Sequence, residues 1–271
     1  MLWDYFKMKV SVLTSHCLRH EYLLKKISSR FNVFEIFKER KNDKFNHLNY
    51  AKKKGDKFLV QHMEEFEKTE QKYLLDYVTK KDISKNSKIY QCKKGGINDI
   101  EITKKVINSD ADIFVVYGTS LLKEEMLKSK KPFINIHLGL SPYYKGMACS
   151  VWPFYNNEPE YNGVTVLNLD KGIDSGNIIH QRLVCLDFND SIHDGSIKGI
   201  ISGVELIIQS LEEFSSNKLR SFRQSQEGKT YLQKDLNEKI LYEVYKNWSQ
   251  QKINEYVKNQ DKRQKKVKYI R

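Results

Sequence analysis

The sequence predicts an α/β fold: a Rossmann-like open, mostly parallel twisted sheet with helices on both faces, plus a small, mainly helical C-terminal extension. Three observations carry this expectation. Short apolar runs alternate with helical patterns from the first strand onward. The run Ile113-Phe114-Val115-Val116-Tyr117 is apolar throughout, as in parallel strands covered on both faces. Between Ser191 and Phe214, Ile197, Ile200, Ile201, Val204, Ile207, Ile208 and Leu211 recur three and four residues apart, the stripe of a helix laid on a sheet.

Taken in order, Met8 to Thr14 reads as a first strand, followed by a loop and a helix through Tyr22 to Ile27, and Asn32 to Phe37 as a second strand. From Asp56 to about Lys81 the apolar residues fall near helical spacing, giving one or two helices after a Lys-rich stretch; residues 40 to 85 are expected to form an insertion or lid. Lys88 to Cys92 is a weak strand, Gly95-Gly96 breaks the chain, and Asp99 to Ser109 is helical. Ile113 to Tyr117 and Phe133 to His137 are strands, Trp152 to Tyr155 a short helical segment, and Gly163 to Leu169 and Ile178 to Leu186 two further strands. This gives one domain over residues 1–225 and a short extension over 226–271, with a helix from about Asn237 to Tyr256 and a charged tail expected to be disordered.

Composition excludes several classes. There are 271 residues, 39% of them hydrophobic, enough for one substantial core. No apolar run is long enough to span a membrane, and the N-terminus lacks the pattern of a secretory signal, so a cytoplasmic location is expected. Cys17, Cys92, Cys149 and Cys185 form no Cys-x-x-Cys pair and are expected to be free and mostly buried. His16 and His20 have helical spacing without an intervening Glu of the zincin kind, so no metal site is expected. Of the net charge of +13, residues 38–57 supply +5 and residues 257–271 supply +6. The remainder is close to neutral and lacks a basic stripe interleaved with aromatics, so nucleic acid is not an expected partner; a homodimer is left open.

The informative chemistry lies at the end of the run Phe133 to His137. Alternation along a strand points Asn135 and His137 the same way. An amide donor and an imidazole on one rim suit a reaction in which a carbonyl oxygen gains negative charge. Asp174, in the turn Leu169-Asp170-Lys171-Gly172-Ile173-Asp174-Ser175-Gly176, supplies a carboxylate to orient the ring.

Asn135-Ile136-His137, the loop Leu138 to Gly146, Gly163-Val164-Thr165 and the Asp turn together resemble the folate-dependent formyltransferase family, over about Ile113 to Gln181. The resemblance implies Asn135, His137 and Asp174 as the catalytic trio, 10-formyltetrahydrofolate as formyl donor, and no metal. It implies that backbone groups of Tyr117, Gly118, Thr119, Ser120, Leu121 and Leu122, and of Leu169, Asp170, Gly172, Ile173 and Asp174, hold the folate ring. Where the family has Ser-Leu-Leu-Pro after the His and one residue, this chain has Gly139-Leu140-Ser141-Pro142, which alters the loop beside the acceptor. Tyr143, Tyr144, Lys145 and Trp152 flank the expected acceptor mouth, and His16, Arg19 and His20 follow the first strand on the same edge of the sheet.

Thr14 to Arg19 lacks the Gly-rich cradle of glycinamide ribonucleotide transformylases, and the residues after Tyr231 are too few and too helical for the β-barrel of methionyl-tRNA formyltransferases. Few residues precede the first strand, unlike formyltetrahydrofolate deformylases. The pattern is most similar to sugar N-formyltransferases, which implies a nucleotide-linked amino deoxysugar as acceptor. A non-catalytic folate-binding or nucleic-acid-binding protein is the alternative from a different class.

Overall fold

The computed structural model describes residues 8–40, 52–53, 55, 57–83, 86–225 and 228–270. Most of the Lys-rich stretch, residues 41–51, 54 and 56, lies outside these residues. The strands are β1 (Lys9–Thr14), β2 (Asn32–Glu39), β3 (Lys88–Cys92), β4 (Ile113–Val116), β5 (Phe133–His137), β6 (Tyr144–Gly146), β7 (Gly163–Asn168), β8 (Ile178–Leu183) and β9 (Lys229–Tyr231). The helices are α1 (Leu18–Ser28), α2 (Lys57–Lys80), α3 (Ile100–Ile107), α4 (Glu124–Leu127), α5 (Trp152–Tyr155), α6 (Ile192–Ser215), α7 (Glu238–Asn247) and α8 (Gln250–Gln264).

Seven strands form one sheet in the order β3-β2-β1-β4-β5-β7-β8. The first five of that order pair in parallel, and β5/β7 and β7/β8 pair antiparallel. The mostly parallel, Rossmann-like sheet read from the sequence is therefore present, with an antiparallel edge made where the Asp turn folds β8 back on β7. Asn135 stands opposite Val116 of β4 and Leu167 of β7, and His137 opposite Thr165. β5 is thus held on both sides by near-continuous apolar strands, and its polar residues emerge only at its carboxyl end.

One face of the sheet is covered by α1, α2 and α6, burying Val12, Leu23, Leu74, Val115, Ile136, Ile200 and Ile207 in one cluster. The other carries Leu13, Phe37, Phe114 and Phe133 beneath α3 and α4. Helix α6 starts at a reciprocal cap: Ser191 Oγ accepts the N–H of Asp194, and the Asp194 carboxylate accepts the N–H of Ser191 at 2.8 Å. It lies close to the sheet because of Gly203, where a Cβ would come within 2.8 Å of Ile136 Cγ2. Helix α2 packs on α1, α6 and α7.

The C-terminal segment differs from expectation. The pattern from Asn237 forms two helices, because Trp248 turns inward, its indole N–H donating to Phe154 O at 2.6 Å, and Ser249 caps the next helix. The charged tail is ordered: α8 runs to Gln264 and buries Ile253, Tyr256, Gln260 and Gln264. The Gln260 amide bonds both backbone groups of Leu186 (2.8 and 3.1 Å), and Gln264 donates to Val184 O (3.0 Å). Polar by composition, these side chains act as backbone mimics against the end of β8. Among the cysteines, all free, Cys92 and Cys149 are buried, Cys17 is half-buried and Cys185 exposed.

Candidate active site

His137 ends β5 and is 5% exposed. Its Nδ1 lies 3.1 Å from Asp174 Oδ2 and its Nε2 lies 2.8 Å from the carbonyl oxygen of Tyr144. A carbonyl only accepts, so Nε2 carries a hydrogen. Asp174 Oδ2 already accepts the N–H of Gly146 at 2.9 Å, so the hydrogen between His137 and Asp174 belongs on Nδ1. The geometry suits a ring donating from both nitrogens, with the carboxylate as its counter-charge.

Asn135 lies on the same side of β5, half-buried, and its side-chain amide makes no hydrogen bond among the described residues. An uncommitted amide donor therefore stands two residues from a buried imidazole. Asp174 itself sits in a left-handed conformation, φ 49°, with its side chain 15% exposed and Oδ1 unbonded among the described residues. Gln224 clamps this turn, donating from Nε2 to Asp174 O at 2.9 Å and to Gly176 O at 2.6 Å. No sequence signal pointed to Gln224.

The loop between His137 and β6 is tightly tied. Thr165 donates to Gly139 O (2.7 Å) and accepts from Ser141 N (3.0 Å), and Gln181 donates to Ser141 O (2.5 Å). At Gly139 a Cβ would lie 2.3 Å from His137 Nε2, 2.6 Å from Cys149 Cβ and 2.8 Å from Tyr144 O. The departure from the family's loop thus places the smallest residue directly against the imidazole. Burial and the negative charge of Asp174 push the Cys149 thiol well above its ordinary range, so it remains an inert neighbour.

The other residues singled out from the sequence separate into two groups. Lys171 of the segment 169–174 makes an exposed ion pair with Glu124, just beyond the segment 117–122, Nζ to Oε1 at 2.6 Å. Leu121 is 61% and Ile173 37% exposed, while Tyr117 and Leu122 are buried. Gly118 and Thr119 are half-buried, and Ser120 donates its N–H to Glu39 at 2.6 Å. Leu169 N–H bonds Phe133 O, and Asp170 accepts from Gly172 N–H. By contrast, Tyr144 and Trp152 lie in the interior, each 3% exposed. Tyr144 OH donates to Glu158 at 2.6 Å, and Trp152 stacks on Tyr231 at 4.3 Å with its indole N–H on Met147 O. Tyr143 and Lys145 are half-buried beside them.

His16 precedes α1 and is exposed, so it does not share a helix face with His20; burial and Lys38 lower its pKa. His20 is buried against Tyr117, ring centroids 5.1 Å apart, and Arg19 is paired with Glu70. Among the described residues no group of three His, Cys, Asp or Glu is placed to hold a metal, and no helix is long and apolar enough to cross a membrane.

Residues 34–209 match the family model described as formyl transferase. The methionyl-tRNA formyltransferase of Thermodesulfovibrio yellowstonii is 33% identical over 124 residues, covering 45% of this chain and 40% of that protein. That of Clostridium botulinum is 31% identical over 157 residues, covering 56% and 48%. The chain matches less than half the length of these curated relatives. Among solved structures, WlaRD, a sugar 3N-formyl transferase with dTDP and 5-N-formyl-THF, superposes with a TM-score of 0.57 at 22% identity over 85% of this chain and 71% of that one. The N-formyltransferase of Helicobacter canadensis, in complex with folinic acid and dTDP-3-aminofucose, gives 0.55 at 19% over 87% and 79%. The phosphoribosylglycinamide formyltransferase of Anaplasma phagocytophilum gives 0.54 at 16% over 83% and 98%. At these identities the likeness establishes the fold alone.

Proposed function

Because the chain belongs to the formyl transferase family, we propose that it transfers a formyl group from 10-formyltetrahydrofolate to the primary amine of a nucleotide-linked amino deoxysugar. The observation that carries the reading is the buried His137–Asp174 pair, 3.1 Å apart, beside the uncommitted amide of Asn135 at the carboxyl end of β5. Open α/β sheets place ligands at this edge.

The folate supplies an activated formyl carbonyl. Residues 117–122 and 169–174 suit it, since Leu121 and Ile173 offer exposed apolar surface to a flat ring. Asn135 donates its amide N–H toward the carbonyl oxygen as charge develops there. His137, hydrogen-bonded on both nitrogens, lends positive charge from a buried position where it acts more strongly than in water. The unbonded Oδ1 of Asp174 accepts the amine proton through water. Gln224 and Gly146 hold that carboxylate in place.

The sugar reading is supported by the β1–α1 loop, which has no Gly-rich cradle. The test is formyl transfer from 10-formyltetrahydrofolate to nucleotide-linked 3-amino and 4-amino deoxysugars, with glycinamide ribonucleotide, methionyl-tRNA and a no-acceptor control. A product sugar heavier by one formyl group is expected. Turnover only with tRNA or the ribonucleotide would reassign the acceptor, and folate release without any acceptor would make the protein a deformylase.

A further inference from the structure

Two strands from His137, beyond the carboxyl end of β1, the N-terminus of α1 opens on the same edge of the sheet. A helix N-terminus with an adjacent guanidinium is a ready anion site, because unsatisfied N–H groups, the helix dipole and a fixed cation converge there. Here the anion is supplied by the chain. Glu70, on α2 and 51 residues away in sequence, places Oε1 3.1 Å from the backbone N of Arg19 and 3.0 Å from its Nη1. The side chains of Arg19 and Glu70 are only 16% and 8% exposed.

A second observation is an unmet polar group beside this pair. The Tyr117 hydroxyl is buried without a hydrogen-bond partner among the described residues, in a residue 5% exposed, and Arg19, Glu70 and Cys17 lie close enough to act on it electrostatically. One carboxylate oxygen takes both donors from Arg19 and leaves that hydroxyl unmet; a phosphate, with three or four oxygens, has enough acceptors for all three. Glu67, one turn before Glu70, adds a further carboxyl group to the same surroundings, its pKa raised by burial and by Glu70.

We propose that Glu70 is a specificity-determining residue: its carboxylate occupies the anion slot at the N-terminus of α1 and closes that slot to the phosphate of an acceptor. The chain then selects acceptors whose phosphates are bound elsewhere. This rests on the carboxyl edge being the acceptor site, as proposed above.

The test uses inorganic phosphate on the full chain, with no formyl donor or acceptor present, so its outcome is independent of whether the protein formylates a sugar. Glu70→Ala is expected to bind phosphate at least about tenfold more tightly than the unsubstituted protein, and to gain a phosphate-dependent rise in its unfolding midpoint. Arg19→Leu added to Glu70→Ala is expected to abolish the gain. If the alanine variant does not fold, Glu70→Ser, which is also short and neutral and vacates the slot, is read in its place and is expected to show the same gain. A folded Glu70 variant that binds phosphate no better than the unsubstituted protein overturns the proposal, as does a gain that survives loss of Arg19.

Discussion

Asp174 Oδ2 sits 3.1 Å from His137 Nδ1 while also accepting the N–H of Gly146, so one oxygen joins the end of β5, the Asp turn and the end of β6. Removing either partner breaks the same junction. His137→Ala and Asp174→Asn are each expected to lower kcat by about 100-fold or more. Asn tolerates the left-handed backbone at this position, so the unfolding midpoint of Asp174→Asn should stay close to that of the parent. Near-normal kcat in either variant would sink the assigned roles. Asn135→Ala, which removes only the free amide donor, is expected to cost roughly 100- to 1,000-fold in kcat with KM little changed.

Gly139 has no space for a methyl group. Gly139→Ala drives a carbon to within 2.3 Å of His137 Nε2, so the imidazole, Cys149 and the Tyr144 carbonyl must move apart. A loss of about 1–3 kcal/mol is expected from overpacking, together with a fall in kcat. Urea denaturation and steady-state kinetics measure the two, and an unchanged kcat would mean that the loop yields without moving the ring.

His193 predicts an acid-sensitive helix junction. Its Nε2 and the Nδ1 of His62 both lie against Tyr245 OH, at 3.0 and 2.9 Å, linking α6, α2 and α7. Burial pushes the His193 imidazole down to about 4. As pH falls, the unfolded chain takes up this proton near pH 6.5 while the folded protein does not. The stability present above about 6.5 is therefore lost as pH falls toward 4, by up to about 3 kcal/mol. Asp194 is held down to about 2 because hydrogen bonds from Ser191 and Lys72 outweigh its burial, so its own loss begins below about pH 4. Unfolding free energy measured from about pH 7.5 to 4.5 should decline in the parent and decline less in His193→Gln; parallel slopes would show that His193 is not the sensitive group.

The C-terminal helix is expected to be part of the stable body. Gln260→Ala leaves the buried N–H and C=O of Leu186 without partners and should cost about 1–3 kcal/mol in urea denaturation. Deletion of residues 257–271 should cost more. A deletion that left the midpoint unmoved would return this segment to the status of a solvated tail.

Much of the candidate site's geometry was legible because it depends on local rules. Strand alternation alone aims Asn135 and His137 the same way, and the apolar run before them demands a covered strand with its polar residues at the end. The boundaries of β5, α5 and α6 followed from the same periodicities. The side chains whose surroundings the sequence did not reveal all have partners remote in sequence. Tyr144 and Trp152, aromatic residues in a loop, suggested a mouth, but Tyr231 stacks on both and Glu158 takes the Tyr144 hydroxyl. Arg19 suggested substrate contact, but Glu70 neutralises it.

By itself, then, the sequence determined the α/β architecture, the strand that carries the imidazole and amide, and the turn that carries the carboxylate, because each is set by patterns that repeat within a few residues. Only the tertiary structure decided that Asp174 reaches His137, that Gln224 locks the Asp turn, that Glu70 fills the slot at α1 and that the basic C-terminal helix is anchored by Gln260. Each of those pairings spans 37 residues or more of chain, and nothing in local propensity distinguishes the partner that packing brings within hydrogen-bonding distance from the many that it leaves in solvent.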